Sequence, residues 1–134
     1  MFRGLDEIMR WLGVLFVILL LSGGCSVAEV QLDATSNGAQ KELAHGQTVV
    51  VALDSNPTTG YSWAVSEVDQ NVLRQLGDPT YQSSNTNLTG AGGVETFRFE
   101  AANAGLTTLK LVYRRSWESN VAPIKTFTVQ VAVR

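Results

Sequence analysis

His45 is the only histidine and Cys25 the only cysteine among the 134 residues, so no metal cluster and no internal thiol–imidazole pair follows from them. Serines and aspartates are plentiful, yet nothing marks a strained nucleophile turn, and His45, beside Gly46, reads as a solvated turn residue ahead of a strand. The chain is not expected to be an enzyme or to hold a metal or cofactor. What it does carry is recognition chemistry, in three polar tips. The first is Asn56, Pro57, Thr58, Thr59, Gly60 and Tyr61. Pro57 fixes its own φ at about −65° and pushes Asn56 towards extended geometry, while Gly60 can take the positive φ of a chain reversal. Such a tip has little loop entropy left to lose on binding. The second, Gly90, Ala91, Gly92 and Gly93, has a composition that fits a flexible linker nearly as well as a binding loop. The third, Arg114, Arg115, Ser116, Trp117 and Glu118, sets tryptophan beside arginine, the types that dominate binding hot spots, where truncating one anchor often costs about 2 kcal/mol or more. The competing expectation for Trp117 is that its indole folds back over the end of the fold.

The elements that must hold these tips read as strands. Residues 27–35 alternate apolar and polar side chains, and residues 36–40 break the pattern as a turn. A β-branched run follows at 47–54, and 61–68 alternates large and small side chains. Residues 71–77 fit either a short helical turn or an irregular strand, 79–82 a brief strand, and 83–93 a long polar loop. Alternation returns strongly in 94–101, where Phe97 and Phe99 mark the inward face, in 106–113 with Leu109, Leu111 and Tyr113, and in 124–133. Six or seven short strands without a long amphipathic helix in the mature chain imply an all-β fold, an immunoglobulin-like antiparallel β-sandwich. Trp63, early in the third strand, is expected in its core. In that order of strands the tips follow strands two, four and six, so all three emerge at one end of the sandwich as binding loops.

Residues 11–21 are almost wholly apolar, follow Arg3 and Arg10, and run into Ser22, Gly23, Gly24 and Cys25. That is the layout of a secretory signal, and it is too short for the roughly twenty helical residues of a membrane span. Cys25 after small residues resembles the lipobox of bacterial lipoproteins, although Ser22 stands where leucine is usual and Asp6 and Glu7 dilute the basic region. Residues 1–24 are therefore expected to be a lipoprotein-type signal peptide and 25–134 one exported, monomeric domain, anchored to a membrane through lipid on Cys25. Ser26, in place of aspartate, favours the outer membrane. The alternative is an ordinary signal cut near Gly24, a free thiol at Cys25, and a soluble periplasmic or secreted protein. Lipidation would leave no cysteine for a disulfide, so the core alone must hold the fold. Net charge is −2 and stays so once two residues of each sign leave with the signal, which excludes nucleic acid as a partner. Asn87, Leu88 and Thr89 match a glycosylation sequon that carries almost no weight in a chain with a bacterial-type amino end.

Together the three tips resemble the chagasin family of inhibitors of papain-like cysteine peptidases. That family has an N-P-T-T-G-[FY] loop, a G-x-G-G loop and an R-P-W loop on an immunoglobulin-like fold. The resemblance implies tight, reversible, competitive inhibition. Thr58, Thr59 and Gly60 would enter the active-site cleft, with residues 90–93 and 114–118 flanking them. It further implies that Trp117 anchors on an aromatic wall, that Arg115 orients the tip or pairs with acidic groups, and that Tyr61 braces the base of the first loop. Ser116 departs from the family's proline and should weaken affinity by about 0.4–1 kcal/mol. The competing expectation is an immunoglobulin-like envelope binding or adhesion module without inhibitory activity.

Overall fold

The computed structural model describes residues 28–84 and 90–134. The signal run, Cys25 and the Asn87 sequon lie outside the described residues. Among the described residues the chain forms nine strands: β1 (Val30–Leu32), β2 (Gln40–Leu43), β3 (Thr48–Ser55), β4 (Tyr61–Glu67), β5 (Leu73–Gln75), β6 (Thr80–Ser83), β7 (Gly93–Ala101), β8 (Gly105–Arg115) and β9 (Lys125–Val133). One sheet runs β1-β3-β7-β5, with β6 sharing the outer edge of β7, and the other runs β2-β9-β8-β4. This is the expected immunoglobulin-like sandwich. Its core lies between the two inward rows, where Phe97 and Phe99 of β7, Leu109 and Leu111 of β8, and Phe127 and Val129 of β9 are all but sealed from solvent. Period-two alternation puts every second residue of each strand into that layer. Burying each such side chain stabilises the fold by about 1.5–3 kcal/mol.

The amino-terminal third differs from the sequence expectation. The alternation over 27–35 yields a strand of only three residues, because the Asp33 carboxylate accepts from both the backbone N–H and the hydroxyl of Thr35 and turns the chain into a 3-10 turn, Ala34–Ser36. Those bonds hold the Asp33 carboxyl below its ordinary range, the hydroxyl of Thr35 contributing most. The stretch read as a turn ends in an extra strand, β2, whose polar residues Gln40, Lys41 and Glu42 suit a sheet edge. Both of these early strands pair parallel to their neighbours, β1 with β3 and β2 with β9, so the sandwich is not purely antiparallel. The reason is topological: β1, β2 and β3 alternate between the sheets, so β1 meets β3 only after the chain has crossed and returned. Residues 71–77 hold something of both expectations: the N–H groups of Val72 and Leu73 close a turn on the Asp69 carbonyl, and a short strand, β5, follows it. Trp63 is buried, as expected, and its indole N–H donates to the carbonyl of Asp54 at 2.9 Å.

Strand directions fix the two ends. β3 and β8 run towards one end, where β3 enters the 56–60 segment and β8 enters the 116–124 segment, and β7 starts there at Gly93, opposite Ser55. At the other end lie the 44–47 turn and the carboxy terminus, and Gln47 Nε2 donates to the carbonyl of Ala28 there at 2.8 Å. β6 reaches the first end beside Gly93, and at that position a side chain is excluded. A Cβ on Gly93 would stand 2.1 Å from the carbonyl oxygen of Gln82 and 2.8 Å from the Cα of Ser83, both of them backbone. Gly93→Ala should therefore detach β6 from β7, which hydrogen exchange would register as lost protection in residues 80–83, with unfolding free energy lower by about 1–3 kcal/mol. Unchanged protection there would refute the close-approach account.

Candidate functional site

The first tip crosses from one sheet to the other, from Ser55 in β3 to Tyr61 in β4. Pro57–Thr59 forms a 3-10 turn with proline in its first turn, and Gly60 ends it in the left-handed region at φ 84°. Asn56, at φ −134° and ψ 87°, organises everything beyond it. Its backbone N–H donates to the Tyr113 hydroxyl at 2.9 Å, and its side-chain Nδ2 donates to the carbonyl of Gly90 at 2.9 Å. Its Oδ1 accepts the Thr58 hydroxyl, and its carbonyl accepts both the N–H and the hydroxyl of Thr59. Both threonine hydroxyls are thus turned inward, and what the finger presents outward is the exposed surface of Pro57, Thr58 and Thr59.

The third tip is built differently from its sequence reading. Arg114 and Arg115 belong to the end of β8, paired with Ser62 and Tyr61 of β4, and not to the loop. The tip proper is a four-residue reversal closed by the Glu118 N–H donating to the Arg115 carbonyl at 3.1 Å, so Ser116 and Trp117 are its central residues. Arg114 Nη2 donates to the Glu118 carbonyl, and Arg115 Nη1 pairs with the Glu118 carboxylate at 3.2 Å. This last pair is half exposed and contributes at most about 1 kcal/mol. Its effect is geometric, because it aims the guanidinium. Arg115 Nε reaches the Thr59 carbonyl at 3.1 Å, and the Arg115 guanidinium carbon lies 4.5 Å from the Tyr61 ring centre and 5.9 Å from that of Trp117. A planar cation with several fixed donors can do all of this at once, which lysine cannot.

Trp117 is 68 % exposed, yet the far edge of its indole rests on Gly60, where a Cβ would meet its Cη2 at 2.3 Å. The indole therefore neither waves free nor folds away; it leans on the neck of the finger and leaves most of its surface to solvent. Tyr61 packs 5.5 Å from the Tyr113 ring, half-buried, between the finger and the core. The second tip closes on the finger from the other side through Gly90, whose carbonyl holds Asn56. Ala91 is exposed, Gly92 accepts from Ser84 with its carbonyl, and Gly93 already belongs to β7. All three tips thus meet at one end, joined by side chains rather than by a disulfide. Two residues that hold them carry no local signal of this role in the sequence. Tyr113 reads there only as an inward core position, and its phase alone could not show that the hydroxyl reaches Asn56. Glu118 is part of the third tip in the sequence, where nothing signals that it holds Arg114 and Arg115.

His45 lies at the far end, exposed, with Nε2 2.9 Å from the carbonyl of Ala102. Among the described residues no group of three or more histidine, cysteine, aspartate or glutamate side chains could hold a metal ion.

Comparison with known proteins places this arrangement. The family model described as chagasin family peptidase inhibitor I42 matches residues 42–131, a span that includes all three tips. Amoebiasin-1 from Entamoeba histolytica is 31% identical over 107 residues, 78% of this chain and 100% of its own length. Chagasin from Trypanosoma cruzi is 33% identical over 96 residues, 69% of this chain and 87% of its own. The crystal structure of a cysteine protease inhibitor from Entamoeba histolytica matches with a TM-score of 0.74 at 24% identity, covering 83% of this chain and all of that one, a likeness of fold.

Gly60 is the point where finger and third tip touch, so Gly60→Ala tests whether they are one unit. The left-handed φ alone should cost about 1–2 kcal/mol, and the new methyl group must displace the Trp117 ring. The expected result is a matching loss in urea unfolding together with easier acrylamide quenching of tryptophan fluorescence. Unchanged quenching would mean that Trp117 does not rest on the finger in solution.

Proposed function

The chain belongs to the chagasin family of peptidase inhibitors, and from that premise we propose that its finger, residues 56–61, enters the active-site cleft of a papain-like cysteine peptidase while residues 90–93 and 114–118 grip the rims. The observation that carries this reading is the pre-ordered finger. Its threonine hydroxyls are bonded inward and its neck is clasped by Arg115 and Trp117, so little entropy is left to lose when it is inserted. A turn of this kind fills a cleft without presenting a carbonyl in near-attack geometry, so the peptidase has nothing to cleave. Trp117 supplies exposed apolar area at low conformational cost and serves as the anchor. Arg115 holds the finger, and Tyr61 braces its base from within.

The site residues have unequal shares in this mechanism. Pro57, Thr58, Thr59 and Trp117 offer the surface that meets the enzyme, with Ala91 and Gly90 on the opposite flank. Asn56, Gly60, Tyr61, Arg114, Arg115 and Glu118 keep that surface in shape. Ser116 occupies the second position of the 115–118 reversal, where proline is favoured in the common turn types, so the family's proline would fit this backbone.

The proposal extends to location. Residues 1–24 act as a lipoprotein-type signal, and lipid on Cys25 holds a monomeric domain at the cell envelope, on the outer membrane. Support comes from the apolar run ending in small residues and cysteine. The fold is compatible with such an anchor: Ala28 is bonded at the end opposite the finger, so a tether at Cys25 would leave the three tips directed away from the membrane.

Inhibition of papain by the purified protein, with substrate varied, tests the mechanism. Competitive inhibition is expected in the nanomolar range. Trp117→Ala should raise the inhibition constant about thirtyfold or more, the scale of a hot-spot truncation, and Thr58→Gly with Thr59→Gly should raise it at least as much. Binding without inhibition, or no effect from either change, would point instead to a binding module of another kind. Ser116→Pro should tighten inhibition by about two- to fivefold through lost freedom of the free tip. In cells, Cys25→Ala should move the protein from the membrane fraction to the soluble one, and unchanged fractionation would refute the anchor.

A further inference from the structure

The inward row of β7 reads Glu95, Phe97, Phe99, Ala101, so an acid occupies a core position at the end of the row nearest the finger. Glu95 is 6 % exposed, and it lies beneath the finger rather than on it. One carboxylate oxygen, Oε1, accepts the hydroxyl of Ser55, itself 5 % exposed, and the backbone N–H of Trp63 at 3.3 Å. Ser55 is the last residue of β3 before Asn56, and Trp63 lies two residues past Tyr61 in β4, so the two donors flank the finger and belong to opposite sheets. A buried carboxylate is expensive, and a leucine of similar size would usually stabilise a core at least as well. What leucine cannot do is tie two donors to one point with directional, charge-assisted bonds.

We propose that Glu95 is a positioning residue for inhibition: it pins both stems of the finger to a single oxygen and so fixes the spacing from which residues 56–60 project. The proposal rests on the reading that the finger blocks the cleft. It also assigns Ser55, which the family motif does not include, a share in that spacing. Without the acceptor, the Trp63 N–H and the Ser55 hydroxyl lose their common partner, β3 and β4 separate more freely at the top of the sandwich, and the finger samples more conformations. The core rows below, from Phe97 to Ala101 and from Phe127 to Val133, contain none of these bonds and should not respond.

Two readouts on the purified protein test this. In Glu95→Leu, amide exchange should accelerate at Thr59 and Gly60, whose N–H groups close the finger turn, while Leu109 and Val129 keep their protection. The inhibition constant for papain should rise about tenfold, the scale of losing a hydrogen bond to a charged group. Glu95→Gln, which keeps an acceptor oxygen, should recover most of both effects. In a Thr58→Gly, Thr59→Gly background, Glu95→Leu should add nothing to the inhibition constant. Uniformly faster exchange, or an equal loss of inhibition in both backgrounds, would make Glu95 an ordinary structural residue and overturn the proposal. If exchange responds selectively but the glycine pair itself leaves inhibition intact, the positioning role stands and the cleft-blocking reading falls. Should Glu95→Leu fail to fold, Ser55→Ala removes one of the two ties and must show the same selective exchange at Thr59 and Gly60, or the proposal is refuted.

Discussion

Everything at the working end of this molecule depends on a short crossing. The chain passes from Ser55 in one sheet to Tyr61 in the other, and packed sheets stand about 10 Å apart. A link that short has little slack, so the finger cannot lie down against either sheet. It must stand over the gap, and its shape follows from how its two stems are held. Pro57, Gly60 and the Asn56 bonds shape the turn itself, Arg115 fixes its Thr59 carbonyl from the side, and Glu95 holds its roots. Neighbouring tips lean on the same structure, Gly90 through its carbonyl and Trp117 through its ring.

No cysteine other than Cys25 exists to staple this assembly, so rigidity comes from many weak terms acting together. An individual hydrogen bond contributes about 0.5–1.5 kcal/mol net, and the partly exposed Arg115–Glu118 pair contributes no more. Their joint effect is kinetic and entropic rather than a large gain in fold stability. A pre-ordered finger loses little freedom on entering a cleft, and the surface it offers is short and polar, with the exposed indole of Trp117 set beside it. On the proposed mechanism this arrangement suits an inhibitor that must resist the enzyme it occupies: contact would be shared among three tips, and the segment placed in the cleft would be the one held by the most internal bonds.

The finger was legible in the sequence because its determinants are local. Proline and glycine state their backbone preferences without help from the rest of the chain, and the structure gives Pro57 and Gly60 those conformations. The core was legible for the same reason, through the alternation of Phe97, Phe99, Leu109, Leu111 and the last strand. What is not legible in this way depends on partners far away in sequence. β2 is polar and short and exists because β9 offers it an edge. Arg114 and Arg115 look like loop residues until Tyr61 and Ser62 pair with them. The acid at position 95 is in phase with Phe97 and Phe99, and only the two donors it meets explain why it is inside. The parallel pairing of β1 and β2 follows from which sheet each strand joins, and no local pattern encodes that choice.

The central claim is that the finger occupies the catalytic cleft, and occupancy can be measured directly. Papain whose cleft has been filled beforehand by a covalent peptidyl inhibitor should no longer bind the purified protein in calorimetry, whereas the free enzyme binds tightly and one to one. Equal affinity for the filled and the free enzyme would place the contact elsewhere and contradict the account.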